Sequence, residues 1–209
     1  MAKNPFDLSG RVAVVTGGNG GIGLGMAEGL AAMGANVAVW ARNEEKNARA
    51  LKRLADAPGE AMALPVDVND AAAVEAAMAQ TLERFGRVDG MFANAGISAR
   101  KSSILERTEE DWLKVLEANV LGVHRCFKAA AAHMVERAKD GDAFGRLVVT
   151  SSTSTIFGAA TSEPYGASKG AVLSMMRALA VELARFGITA NAILPGWTES
   201  EMTAPAFAN

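Results

Sequence analysis

The chain has one cysteine, two histidines and no surplus of either charge, with 21 Lys and Arg against 23 Asp and Glu in 209 residues. A lone Cys126 excludes an internal disulfide and a zinc site built on paired cysteines, and it reads as a small buried apolar residue. His124 and His133 lie on a helical pattern with no further ligand at a suitable spacing, which argues against a metal site. The balanced charge and the lack of any long basic run speak against nucleic acid or an anionic membrane as partner. The first ten residues carry no apolar leader segment, and charges interrupt the alanine- and methionine-rich stretches before they could span a bilayer. A cytoplasmic protein is expected. Half of the residues are hydrophobic, enough for one domain over residues 1–209 with a full core.

What is present is a regular alternation of short apolar runs and amphipathic segments. Arg11 to Thr16 and Ala35 to Ala41 read as the first two strands, separated by a helix from Ile22 to Met33 that ends at Gly34. A charged helix from Glu44 to Ala57 precedes a third strand, Ala61 to Val68, and Asn69 is the expected cap of an alanine-rich helix reaching Phe85. Val88 to Ala93 is the fourth strand. Thr108-Glu109-Glu110-Asp111 resembles a capping box opening one long helix to Ala138. Gly145 to Ser152 is a fifth strand ending in hydroxyls, a helix from Glu163 or Pro164 ends at Gly187, and Ile188 to Leu194 is a sixth strand closed by Pro195-Gly196. This order predicts an α/β protein, a doubly wound parallel sheet with helices on both faces.

The loop after the first strand points to a nucleotide. Gly17 and Gly21 permit a tight turn and close backbone approach, Gly23 lets the helix pack on the strand, and the free helix N-terminus can accept a pyrophosphate. Gly18-Asn19-Gly20-Gly21-Ile22-Gly23 also fits G-x-G-x-x-G, here in the strand-to-helix context that gives the pattern its meaning. An acid at the end of the second strand would bond the adenosine ribose, but the sequence there is Ala41-Arg42-Asn43. Arg42 offers a guanidinium suited to a 2′-phosphate, so NADP(H) is expected over NAD(H).

Tyr165 and Lys169 are one helical turn apart, thirteen residues after Ser152. Residues at i and i+4 share a helix face, so the ammonium is expected beside the phenol, favouring its ionised form. One cation about 4 Å away at an effective dielectric of about 20 is worth roughly 4 kcal/mol, or about three pKa units against a phenol near 10. That would bring the tyrosine into the range useful for general acid–base work. Ser152 follows a buried strand whose C-terminal end borders the ligand crevice of an open parallel sheet.

Taken together, these motifs resemble the short-chain dehydrogenase/reductase family over nearly the whole sequence. Its Thr-Gly-x-x-x-Gly-x-Gly stands as Thr16 to Gly23, its Asn-Ala-Gly as Asn94-Ala95-Gly96, its Tyr-x-x-x-Lys as Tyr165 to Lys169, and its Pro-Gly as Pro195-Gly196. The resemblance implies a Rossmann fold and a nicotinamide-dependent oxidoreductase in which Tyr165 exchanges the proton and Ser152 bonds the substrate oxygen. Lys169 would support the phenolate and hold the nicotinamide ribose, and Asn119 would hold a water linking Lys169 to solvent. It further implies that Asp67 and Val68 border the adenine, that Thr198 and Ser200 lie by the nicotinamide amide, and that two helices pair across a twofold axis in a homodimer or homotetramer. The helices in question are Glu109 to Ala138, with Ala129 to Ala132, and Glu163 to Phe186, with Val172, Met175, Met176 and Leu179.

Members of the family continue past Pro-Gly through a substrate-covering helix pair and a seventh strand, so the C-terminal strand and lid are expected to be missing here, from an incomplete chain. The substrate reads as a small keto or hydroxy compound of 3-oxoacyl, sugar acid or polyol type. Its loops are Ser98 to Arg107 and Thr153 to Glu163. A non-catalytic NAD(P)-binding sensor or scaffold is the alternative, which the intact Ser152, Tyr165 and Lys169 oppose.

Overall fold

Val12–Thr16 (β1) is buried at every position, as a strand can be only when both faces of its sheet are covered. The computed structural model describes residues 4–99, 103–201, 203 and 204. Among them β1 is followed by α1 (Gly21–Ala32), β2 (Asn36–Trp40), α2 (Glu44–Leu54), β3 (Ala61–Leu64), α3 (Ala71–Phe85) and β4 (Gly90–Ala93). Then come α4 (Glu109–Leu116), α5 (Gly122–Lys139), β5 (Gly145–Thr150), a short α6 (Ser154–Phe157), α7 (Glu163–Leu183) and β6 (Ile188–Ile193). The six strands form one parallel sheet in the order β3-β2-β1-β4-β5-β6. Strand order reverses between β1 and β4, and a crevice opens there at the C-terminal strand ends.

Strand alternation divides the core in two. Val12, Val14, Ala38 and Trp40 face Val74 and Met78 of α3, Phe127 and Met134 of α5, and Val172 and Met176 of α7. Val15, Val37 and Val39 face Ala27 and Ala31 of α1 and Leu54 of α2. Helices thus cover both faces, as the alternation of elements predicts. Among the described residues β6 pairs only with β5 and exposes Thr189, Asn191 and Ile193.

Three local readings are corrected. Asp70, not Asn69, caps α3, because its carboxylate accepts from the Ala72 and Ala73 amides, whereas the Asn69 amide is drawn to Asp67. β3 ends at Leu64, before the Pro65 that cannot donate to a ladder. The predicted single helix from Thr108 is two helices, α4 and α5, joined by a wider π-turn at Glu117–Leu121. The capping box forms as expected: Thr108 Oγ1 accepts from the Asp111 amide, and the Asp111 carboxylate accepts from the Thr108 amide.

At the opposite end of the sheet, buried Asp89 accepts from the Val12 amide and from Arg11, Arg87 and Arg137. Burial alone would raise its carboxyl, but the Arg87 bond, the Val12 amide and the nearby guanidinium charges outweigh it and hold the group below its ordinary value. His133, whose Nε2 accepts from the Val88 amide, is lowered by burial and then by the Arg137 charge. Both shifts have the same sign for stability: the unfolded chain binds the protons more readily, so stability is full above the unfolded pKa and is lost on acidification. It should begin to fall below about pH 6.5 through His133 and continue below about 3.9 through Asp89. Asp89→Asn, which takes the carboxylate from Arg11 and leaves Arg87 and Arg137 with Asp142 alone, should cost on the order of 3 kcal/mol and flatten the second of these losses. Urea midpoints across pH for the wild type and the variant measure both effects.

Candidate active site

Three adjoining hollows make one trough across the C-terminal strand ends. The first, about 750 Å³, runs from the end of β2 past Val66 to Asn69. The second, about 260 Å³, lies over the glycine loop with Tyr165 and Lys169. The third, about 750 Å³, is walled by Ile97, Ser98, Ser152 to Ser154, Gly158 to Ala160 and Trp197. Gly17 and Gly96 recur between the first two, and Gly96 and Tyr165 between the last two.

The glycine loop fits a dinucleotide on steric grounds. Gly17 adopts φ +64 and Gly21 φ +49, in the left-handed region where a side chain strains the backbone. A Cβ at Gly23 would stand 2.4 Å from the Gly17 carbonyl oxygen and 2.5 Å from Asn94 Nδ2, so this glycine serves packing within the loop as well as against the strand. Gly18 sits on Val15 in the same way, while Gly20 has open space around it. Gly20 caps α1 without any side-chain bond and no acid stands in the first turn, so the helix start is left free for an anion. Asn19 and Ile22 line the trough, but the Asn19 amide is already spent on Asn47 Oδ1 at 2.7 Å, pinning the loop to α2.

At the far end, Arg42 has a side chain 68 % exposed and stands 3.9 Å from Asp67, a loose pair that leaves the guanidinium available. Asp67 and Val68 line this part of the trough. Sequence reasoning missed Lys46, four residues after Arg42 and within the first turn of α2. It lines both adjoining hollows and pairs with Glu201. It also missed Asn47, which holds the β2 end by donating to the Ala41 carbonyl at 2.7 Å.

Asn94 braces the trough floor: its amide donates to the Thr16 carbonyl, its oxygen accepts from Thr150 Oγ1, and the Asn94 and Ala95 amides both donate to Thr16 Oγ1. Asn119, fully buried in the π-turn, bonds both backbone groups of Ile97 and donates to Ser168 Oγ. A π-turn marks many functional sites because the extra residue frees backbone groups from the helix ladder. Gly122 ends this one, where a Cβ would stand 2.8 Å from Val68 Cγ2. Asn119 therefore ties the Asn94-Ala95-Gly96 loop to α7, with no side-chain bond to Lys169, and a Cβ at Gly96 would lie 3.1 Å from Asn119 Oδ1 and 3.4 Å from Lys169 Nζ.

Ser152, Tyr165 and Lys169 come together where the second and third hollows meet. Ser152 lies two residues beyond the end of β5, in the loop rather than on the strand. Its hydroxyl shares the third hollow with the Tyr165 phenol, where it favours the ionised form, and accepts from the Ser154 amide at 3.1 Å. Lys169 is buried, and burial lowers its ammonium to about 8. The expected lowering of the tyrosine is not what the structure gives. Burial raises the phenol above its ordinary value, and the nearby Ser152 hydroxyl offsets this only in part. The reason is geometric: Nζ is 5.5 Å from the ring centroid, over the ring rather than at the hydroxyl, and donates to the Thr150 carbonyl at 2.7 Å.

A hydroxyl pair, a buried ammonium and a glycine cradle in one trough suit hydride chemistry on a nicotinamide, and the comparisons with known proteins agree. The short chain dehydrogenase family profile matches residues 11–209. The chain is a short-chain dehydrogenase. It is 41 % identical over 195 residues to a putative ketoacyl reductase of Streptomyces coelicolor, covering 92 % of this chain and 72 % of that one. It is 36 % identical over 202 residues to the 3-oxoacyl-(acyl-carrier-protein) reductase of Mycobacterium bovis, covering 97 % and 74 %. Among solved structures, a 3-ketoacyl-(acyl-carrier-protein) reductase from Brucella melitensis complexed with NADH superposes with a TM-score of 0.88 at 31 % identity, covering 94 % and 80 %.

The dehydrogenase is thus an NAD(P)-dependent oxidoreductase with a Rossmann-type sheet. Of its remaining predicted site residues, Gly196 lines the third hollow and Ser200 the second, while the Pro195 carbonyl accepts from Thr153 Oγ1 at 3.3 Å. Thr198 is exposed and its carbonyl accepts from Thr203, so the structure does not bring its side chain to the trough with the others. No helix among the described residues is long and apolar enough to cross a membrane.

Proposed function

We propose that this dehydrogenase is an NADP(H)-dependent carbonyl reductase acting on a small keto compound of 3-oxoacyl type. The observation that carries the reading is that Ser152 and Tyr165 line the third hollow together, with buried Lys169 beside Tyr165 in the second. The names of the relatives in Streptomyces and Mycobacterium support the 3-oxoacyl choice. The nicotinamide supplies the hydride when bound. Tyr165 then gives its proton to the substrate oxygen as negative charge develops there, Ser152 donates a hydrogen bond to the same oxygen, and Lys169 holds the ribose and offsets charge left on the phenol. Asn119 keeps the loop before the reacting carbonyl at a fixed distance from α7. Arg42 and Lys46 would hold the 2′-phosphate. Turnover of a 3-oxoacyl thioester followed at the nicotinamide absorbance, set against polyols and sugar acids run in the oxidative direction, tests the assignment. A polyol oxidised with the higher kcat/KM would refute it.

A specific observation also favours homodimer formation. Val172, Met176 and Ala130 are core residues, whereas Met175, Leu179, Ala129 and Ala131 line an apolar groove of about 770 Å³ between α5 and α7. The predicted interface stripe is therefore narrower than the whole apolar set. A second copy pairing its own α5 and α7 across a twofold axis would fill the groove. The chain should sediment as a dimer at micromolar concentration and Leu179→Asp as a monomer, and a monomeric wild type would refute the pairing.

A further inference from the structure

The loop between β4 and α4 buries a charged side chain that the chemistry above does not use. Arg107 follows a short 3-10 turn at Ile104–Glu106, and its side chain is 2 % exposed. Its guanidinium donates to the Ala99 carbonyl, to the Thr161 carbonyl at 2.9 Å and to the Glu163 carboxylate at 3.1 Å. Ala99 directly follows Ile97 and Ser98, which form one wall of the third hollow; Thr161 and Glu163 flank Ser162, which lines the same hollow from a segment distant in sequence. Glu163 opens α7, placing Tyr165 within the first turn of the helix that the guanidinium grips.

Two further observations set this contact apart from an ordinary ion pair. Thr161 is held at φ +62, the left-handed region that a β-branched residue avoids, and its carbonyl is one of the groups bonded. Arg107 Nε is buried with no acceptor among the described residues. A buried cation left partly unsatisfied is poor evidence for stabilisation, since an apolar side chain of similar volume often serves stability as well or better. Its use here is better explained by what a planar fork does that an apolar group or a lysine point charge cannot, namely bond two separate carbonyls and a carboxylate in one fixed geometry.

We propose that Arg107 is a positioning residue that ties the two walls of the substrate hollow together and thereby fixes where Tyr165 stands relative to the carbonyl to be reduced. The proposal rests on the carbonyl reductase reading, but its test does not depend on turnover alone. Tyr165 is the only tyrosine of the chain, so phenolate absorbance titrates this one group. Arg107→Met should let water into the start of α7 and move that titration down toward the ordinary phenol value. It should lower kcat/KM ten- to a hundredfold, and leave cofactor affinity within about twofold, because the guanidinium's partners Ala99, Thr161 and Glu163 lie outside the glycine loop. Arg107→Lys, which keeps the charge but not the fork, should keep the wild-type melting temperature and still lose at least fivefold in kcat/KM.

An Arg107→Met enzyme with wild-type titration and kcat/KM within threefold would overturn the proposal. So would cofactor binding lost in step with activity, which would make Arg107 a fold-maintaining residue. If Arg107→Met does not fold, the lysine variant decides, and wild-type kcat/KM in it refutes the fork. If the wild type reduces no carbonyl at all while Arg107→Met still shifts the tyrosine titration, the reductase reading fails and the clamp stands.

Discussion

Tyr165→Phe should lower turnover by about 10²- to 10⁴-fold, the usual contribution of a positioned proton donor, while cofactor affinity stays within about twofold. The ring and its packing are retained; only the hydroxyl, which shares the third hollow with Ser152, is lost. Because the chain has a single tyrosine, the same variant should abolish the phenolate transition in the near ultraviolet, which assigns that transition without ambiguity. In the ligand-free wild type the transition should lie above the ordinary phenol value, since burial outweighs the influence of the Ser152 hydroxyl. A transition near neutrality in the ligand-free protein would contradict this geometry, and near wild-type turnover by the phenylalanine variant would remove Tyr165 from the mechanism. Lys169→Ala should impair both turnover and cofactor binding, since it removes a buried ammonium that lines the trough beside the glycine loop.

Replacing Ala41 by Asp and Arg42 by Ser should swing the ratio of kcat/KM for NADPH over NADH by about ten- to a hundredfold toward NADH. A charge-assisted hydrogen bond to the 2′-phosphate is worth roughly 1.5 to 3 kcal/mol, which converts to about that factor. The new carboxylate adds repulsion of the phosphate and a partner for the ribose hydroxyl. Lys46 makes a second expectation possible. Since it lines the same end of the trough and is held by Glu201, Arg42→Ser alone should leave part of the NADPH preference, and Lys46→Ser added to it should remove more. A wild type that already prefers NADH would make Arg42 and Lys46 surface cations with no role in cofactor choice, while leaving the Tyr165 chemistry untouched.

Local chemistry accounts for what could be read without coordinates. β-branched runs, the Thr108 capping box and the glycine loop each report on their own neighbours within a few residues, so strand order in the chain, most helix boundaries and the strand-to-helix turn follow from spacing. The errors arose where two candidates compete or the helix ladder breaks. Asn69 and Asp70 are both good caps, and the folded chain decides between them by engaging the Asn69 amide with Asp67. The π-turn at Glu117–Leu121 carries no glycine or proline within it; the glycine that makes room for it, Gly122, does so against Val68, which is distant in sequence.

The sequence by itself determined the fold class and the family, because periodicity and motif spacing are properties of the chain. Tertiary structure alone decided the electrostatics and the anchoring. Whether Lys169 sits at the Tyr165 hydroxyl or over its ring depends on the Thr150 carbonyl delivered by a neighbouring strand, and the depth of burial that raises the phenol depends on the surrounding elements. Likewise, Lys46 reaches the trough through the placement of α2, and Arg107 finds its acceptors on Thr161 and Glu163, more than fifty residues away. A side chain's partners are set by where the sheet brings distant segments together, and that distance information is absent from local spacing.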